Sequence, residues 1–283
     1  MSSPHPYFSK TVTVTSKHQK AALMQPAFSS LLDITLIELP LDTDQLGTFS
    51  GEIERTAPPL ETAIAKAKLG IAHSGNPLGI ASEGSIGSDL SIPWVPADYE
   101  VMIFVDAERD LVISESLHSR DIIAARTTVR SEDSLDEFLL RADFPQHALI
   151  VQSLGSPTPF VIKGIADITE LHAAIEDGAK LSPTGQVTVE SDFRAHHSPS
   201  RQRNIATLAQ LLAARIAALC PECQAPGWGK VDVGRGVPCS ECGEINSQII
   251  AREILGCAQC GFRTPGEIVK QEIDPAQCQL CNP

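Results

Sequence analysis

The chain is 283 residues long, carries a formal net charge of −13 and has a mean hydropathy near zero. That length suits one α/β domain of roughly 200 residues with a smaller unit beside it. No run approaches the ~18 uninterrupted apolar residues of a membrane helix, and so large an acidic excess repels nucleic acid over most of the surface. Residues 1–30 lack the basic start, apolar run and small-residue cleavage site of a secretory signal, so the expected location is the cytoplasm.

Thr11 to Ser16 (TVTVTS) alternates small and β-branched residues as a strand does, then meets Lys17, His18, Gln19, Lys20 and the apolar series AALM, which predicts strand, basic loop, helix. DITLIEL (33–39) is a second strand. Pro40 and the polar stretch 41–55 form a long loop, and Pro58 and Pro59 open a helix, LETAIAKAKLGIA, where proline fits the first turn. GIASEGSIG (79–87) reads as a short strand breaking into a glycine-rich turn. EVMIFVDA and DLVISES, joined by Glu108, Arg109 and Asp110, with DIIAARTTV as a third strand, suggest an antiparallel meander. A helix at 133–141, strands HALIVQS and PFVIKG, a helix near 168–178 and a strand QVTVES follow. The longest helix, 199–219, runs straight into Cys220, so the two units are expected to dock without a free linker. The predicted class is α/β, a mixed twisted sheet with flanking helices over residues 1–210, plus a ribbon-like two-zinc module over residues 211–283.

Polar clusters fall at strand ends, helix starts and loops, where functional groups collect. Lys17, His18 and Lys20 lie where ammonium groups and free helix N–H donors would make a phosphate site, or else form a solvated helix start. Asp42, Asp44, Glu52, Glu54 and Arg55 occupy the long loop, where carboxylates suit Mg2+ or water orientation, or solubility alone. Glu61, Lys66 and Lys68 sit on the second helix, and the helix dipole by itself accounts for Glu61. Glu83 between Ser82 and Gly84 has small neighbours that leave room for a ligand, and it is the leading single candidate. Arg194, His196, Arg201 and Arg203 surround the start of the long helix, where arginine is unfavourable for the dipole and invites an anion or a carboxylate partner. His147 reads as a strand-start residue. No G-x-S-x-G elbow, Walker lysine or H-E-x-x-H pattern occurs.

All eight cysteines lie in the last quarter as four C-x-x-C pairs, Cys220/Cys223, Cys239/Cys242, Cys257/Cys260 and Cys278/Cys281, separated by 15, 14 and 17 residues. Two such turns complete a tetrahedral four-cysteine zinc site, so four imply two structural zinc ions without an open position for catalysis. A disulfide framework would want a secreted chain. The segment from Cys239 to Cys260 reads as knuckle, two short strands, knuckle, which favours a nested arrangement with Cys220/Cys223 and Cys278/Cys281 around the second ion; sequential pairing is the alternative. The module holds 6 Lys/Arg against 8 Asp/Glu, and two four-thiolate zinc centres add about −4 more charge. Nucleic acid is therefore not its expected partner, and a protein partner is.

DTDQLGTFSGEIER, GIASEGSIG, ESDFRAHHSPSRQRNI and the CPEC and CSECG knuckles together resemble an uncharacterised bacterial family of unknown function, over nearly the whole chain. More distantly, the motif order is similar to the inosine/xanthosine triphosphate pyrophosphatase superfamily: Ser16 to Lys20 stand for its phosphate loop, Glu61-Thr62 with Lys66-Ala67 for its helix, and Glu83-Gly84 for its acidic turn. The first loop here has His18 for the usual asparagine, the paired acids are reduced to Ser82-Glu83, and the zinc module has no counterpart. That resemblance implies a Mg2+-dependent hydrolase of nucleoside triphosphates or related phosphate compounds. Its catalytic candidates are Glu83, Glu61 and Asp44, two of them holding Mg2+ and an acidic group activating water. Lys17, His18, Lys20, Arg55, Lys66, Ser82, Arg194, His196 and Arg201 are the ligand-binding candidates. The alternative is a non-enzymatic protein that senses an anionic ligand and docks a partner through its zinc ribbons.

Overall fold

The computed structural model describes residues 5–43 and 57–283. β1 (Thr11–Thr15) lies between two parallel neighbours, β2 (Thr35–Leu39) and β3 (Leu78–Ser88). Helix α1 (Lys20–Leu32) joins β1 to β2, and α2 (Pro59–Ser74) carries the chain back across β1 to β3. The two helices cover opposite faces: Met24 and Phe28 of α1 pack with Val12 and Val14, whereas Ala63 and Ala67 of α2 pack with Ala81 and Val101. The connections therefore diverge at the C-terminal end of β1, the kind of switch point where open α/β sheets form a crevice.

β4 (Pro96–Asp106) and β5 (Leu111–Ser119) complete this sheet in the order β2-β1-β3-β4-β5, antiparallel from β3 onward. β3 pairs β1 only at Gly79 and Ile80, and its later residues run beyond the end of β1 as one wall of the crevice. GIASEGSIG thus forms no glycine-rich turn; it belongs to an eleven-residue strand whose pairing to β4 is unbroken from Leu78 to Ser88. β6 (Arg126–Val129) also departs from the expected meander, because it pairs β9 (Val187–Ser191) in a second, antiparallel sheet of order β6-β9-β7-β8. With β7 (Leu149–Ser153), β8 (Val161–Ile165), α3 (Asp136–Arg141) and α4 (Ile168–Leu181), that sheet builds its own core around Phe138, Leu171, Val151 and Val189. Asp167 caps α4, accepting the N–H groups of Thr169 and Glu170.

Helix α5 (Pro199–Ala217) joins these parts. Its buried stripe, Arg201, Asn204, Ile205, Leu208, Ala209, Leu212, Ala213 and Ile216, follows the helical period and lies on the first sheet against Met102, Phe104 and Ile113. The stripe is apolar along most of its length and polar in its first turns. The helix passes residue 210, so the cysteine-rich unit begins after Ala217. It consists of β10 (Gly229–Pro238), β11 (Ile245–Gly256) and β12 (Arg263–Ile268) in an antiparallel sheet. The unit is docked as expected: Arg215 of α5 donates to Gly227 O at 3.4 Å, and a Cβ on Gly227 would lie 2.8 Å from Ile113 of β5.

Candidate functional site

Alternation along β4 places Asp98, Glu100, Met102 and Phe104 on the face covered by α5. The last two join the core, and the first two meet the polar start of α5. Arg201 Nε donates to Glu100 Oε1 at 2.5 Å while its Nη1 donates to Phe193 O at 2.6 Å. Asn204 Nδ2 donates to Asp98 Oδ2 at 2.9 Å. All four side chains are almost wholly buried. Gly84, opposite Glu100 on β3, has a packing reason: a Cβ there would lie 2.3 Å from Glu100 Oε1 and 2.5 Å from Arg201 Nη2. The space above the glycine belongs to this ion pair, which corrects the reading of that turn as an approach path for a ligand.

Lys20 enters the same bank from the first turn of α1. Gln19 adopts a left-handed conformation, and Ser16 Oγ accepts the His18 N–H, which turns the chain sharply after β1. Lys20 Nζ, buried, donates to Ser82 Oγ at 2.9 Å. Burial, and then the Arg201 charge, bring its ammonium down to about 8. The helix start itself offers no phosphate cradle, because the N–H groups of Lys20 and Ala21 point to the Glu38 carboxylate at 3.3 Å. His18 stacks on His196 with ring centroids 5.2 Å apart, and His196 contacts His197 at 4.0 Å. Burial first, then Lys20 and His196, lower His18 to about 4, so it is neutral at pH 7.

Four buried atoms in this bank have no hydrogen-bond partner: Asp98 Oδ1, Glu100 Oε2, His18 Nδ1 and His196 Nδ1. Such groups cost about 1–3 kcal/mol each when nothing satisfies them. Burial, followed by the neighbouring Glu100, raises Asp98 to about 6.

The remaining candidates are dispersed. Glu83 faces the other side of β3, buried in an ion pair with Lys66 of α2. Glu61 is exposed in the first turn of α2. Lys17 pairs with Asp42 at 2.5 Å on the exposed side, and Arg194 grips Asp192 through Nε and Nη2. Asp44 and Arg55, with Glu52 and Glu54, lie outside the described residues. The structure thus unites Lys20, Ser82, Arg201, His18 and His196, turns Glu83 with Lys66 to the other face of β3, and leaves Glu61 exposed. Asp98, Glu100 and Asn204 were not singled out from sequence. Their signal was present: acids two apart in register with Met102 and Phe104, and an asparagine in line with Ile205 and Leu208.

A second cluster has the outline of a hydrolase triad. His147 Nδ1 lies 2.9 Å from Asp143 Oδ2, and its Nε2 lies 3.0 Å from Ser200 Oγ. Ser200 N–H donates to that same Nε2, and Ser200 Oγ accepts the Ile123 N–H. Ser200 and His147 are buried, so no acyl group can reach the hydroxyl. The cluster ties the start of α5 to the segments that precede β6 and β7.

The cysteines converge in two tetrads, Cys220, Cys223, Cys257 and Cys260, and Cys239, Cys242, Cys278 and Cys281. Sulfur pairs across each lie 3.6 to 3.9 Å apart. An ion about 2.3 Å from four sulfurs in a tetrahedron requires roughly 3.8 Å, so both tetrads could hold zinc, and disulfides at ~2.05 Å are excluded. Backbone N–H groups of Gln259 and Cys260 point at Cys257 Sγ, as in a metal knuckle. The pairing is interleaved, first with third and second with fourth, neither nested nor sequential. Its cause is β11, one twelve-residue strand where two short ones were expected. At ~3.3 Å per residue it spans about 40 Å, which sets Cys242 and Cys257 at opposite ends. The hairpin brings Gly229 to Gly256 near one tetrad and Pro238 to Ile245 near the other, and Cys239 bridges Ile273 to bring in the last pair.

Among the described residues, these tetrads are the only groups of three or more His, Cys, Asp or Glu side chains placed to share an ion, and no helix is long and apolar enough to cross a membrane. A family model described as "Domain of unknown function (DUF6671)" matches residues 66–283, from the middle of α2 through both tetrads. No curated protein matches the chain.

Proposed function

The chain belongs to the DUF6671 family, and from that premise we propose that the crevice beyond β1 holds a small phosphate-bearing molecule, a nucleotide or a related phosphate ester. One observation carries the reading: a buried lysine, bonded to Ser82, lies in one bank with buried carboxylate and imidazole atoms that have no hydrogen-bond partner. An ammonium has three donors, of which Ser82 takes one. Phosphate oxygens would take the others, and hydroxyl or amine groups of the same ligand would satisfy Asp98 Oδ1 and Glu100 Oε2.

The Mg2+-dependent hydrolysis of nucleoside triphosphates implied by the motif order is the reaction to test at this site. The described residues do not fit a magnesium ion: Glu61 is exposed, Glu83 is tied to Lys66, and the open oxygens of Asp98 and Glu100 lie beside an ammonium and a guanidinium. Zinc fits the tetrads as a structural ion, and eight cysteines placed to bind metal as thiolates suit a reducing compartment such as the cytoplasm.

Calorimetric titration of the zinc-loaded chain with tripolyphosphate and with nucleoside triphosphates, beside Lys20→Met, tests the reading. Wild type should bind, and the variant should bind at least tenfold more weakly, the loss of a charge-assisted hydrogen bond. No binding by wild type, or equal binding by a folded variant, overturns it. Pyrophosphate release in the same samples, with and without Mg2+, separates a hydrolase from a ligand sensor.

A further inference from the structure

The β10–β11 hairpin meets α5 at one end, where Gly229 pairs with Gly256 and a Cβ on Gly229 would lie 3.2 Å from the Arg215 side chain. Its opposite end carries Cys239, Cys242, Cys278 and Cys281. There the register breaks: Val237 pairs with Asn246 but Arg235 with Ile250, so one residue of β10 faces three of β11. Such a bulge bends its strand and re-aims the side chains. A pocket of about 440 Å3 lies between the bulged stretch and the last knuckle, lined by Glu244, Ile245, Gln248, Cys278, Gln279 and Leu280, among others. Both walls are anchored, because Cys278 shares a small core with Val237, Cys239 and Ile273.

Two properties of this end select an occupant. Ile245 is 55% and Leu280 67% exposed, so each wall offers an apolar side chain to water. Residues 238–248 and 271–283 contain Glu241, Glu244, Glu272 and Asp274 and no lysine, arginine or histidine. All four carboxylates are exposed, and none forms an ion pair among the described residues. The ion pairs of the module, Lys230 with Glu253 and Arg263 with Asp232, belong to the other half of the sheet. Arg235 and Lys270, which border the acidic segments, donate to Gln248 O and Gln277 Oε1. A zinc-bound tetrad adds about −2 more charge. An apolar notch in so negative a field suits a cationic partner and repels nucleic acid. A second copy of the chain suits it less, since a two-fold contact would set these carboxylates against their own counterparts.

We propose that this pocket docks a basic peptide segment of a protein partner. An apolar side chain of the segment sits between Ile245 and Leu280, and its lysine or arginine side chains meet the four carboxylates. The proposal asks nothing of the Lys20 bank.

The test is fluorescence anisotropy with the full zinc-loaded chain and a labelled peptide of alternating lysine and leucine, beside oligolysine of equal charge. Wild type should bind the lysine and leucine peptide more tightly than oligolysine, and the binding should weaken as salt rises. Leu280→Ser should weaken it roughly fivefold or more, and so should Ile245→Ser, which lies outside the knuckle and decides the matter if the first variant loses zinc. Glu244→Lys should cost roughly tenfold, and Glu132→Lys, on the turn after β6, about nothing. Absence of binding, equal binding of oligolysine, unchanged binding by Ile245→Ser, or an equal loss in Glu132→Lys overturns the proposal. A wild-type dimer in gel filtration that Ile245→Ser separates also overturns it, and gives the pocket to a second copy.

Discussion

Asp98 and His18 stand in one buried bank, and their protons respond to folding in opposite senses. The folded chain holds the Asp98 proton up to about 6, against 3.8 in its ordinary state. Its stabilising contribution is therefore complete below pH ~3.8 and is lost as pH rises through 6. His18, lowered from 6.5 to about 4, contributes fully above 6.5 and loses that contribution as pH falls through 4. Two units on Asp98 correspond to about 3 kcal/mol set against the fold at neutral pH. Asp98→Asn keeps an oxygen for Asn204 Nδ2 and cannot ionise. It should raise the urea midpoint at pH 7–8, a gain in stability of about 1–3 kcal/mol, and give no gain at pH 4. An equal gain at both pH values would mean that the Asp98 charge is not what costs stability.

At the scale of the element, α5 shows why a residue pattern can mislead. Its first turns carry Ser200, Arg201 and Asn204 on the buried side, and each is matched by a partner from another strand or loop. Arginine near a helix start, unfavourable for the dipole, is here explained by Glu100. The Asp143, His147 and Ser200 cluster would pass a distance test for nucleophilic catalysis and fails on access. Ser200→Ala should leave any turnover unchanged, and wild type should form no adduct with a fluorophosphonate. The variant should lose about 1–3 kcal/mol in a denaturation curve, because the Ile123 N–H keeps no acceptor. Labelling of Ser200 would reverse that assignment. β3 carries the complementary lesson. Gly79, Gly84 and Gly87 lie within a strand, and two of them make room for Ile71 and for the Arg201–Glu100 pair.

For the whole molecule, the interleaved tetrads couple both ends of the β10–β11 hairpin, and zinc counts on paired mutants distinguish this from the alternatives. Cys223→Ser with Cys260→Ser should keep one zinc per chain, because both changes fall on one tetrad, and Cys223→Ser with Cys242→Ser should keep none. Nested pairing reverses the first result alone and sequential pairing reverses both, as read by metal analysis after gel filtration. Local chemistry written along the chain was legible without coordinates. Period-two and helical patterns located most strands and helices ahead of Cys220, and four C-x-x-C turns identified the residues that could hold metal, because strands, helices and knuckles depend on neighbours a few residues apart. Which pairs share an ion was illegible, since it depends on whether β11 is one strand or two. The site itself divided in the same way: Lys20, Ser82 and Arg201 stood out by residue type, whereas Asp98 and Glu100 acquired meaning only where α5 crosses β4. Glu83, the leading candidate by type, was turned to the opposite face by the two-residue period of its strand. Sequence spacing sets what each residue can do, and contacts between residues about a hundred positions apart decide which of them act together.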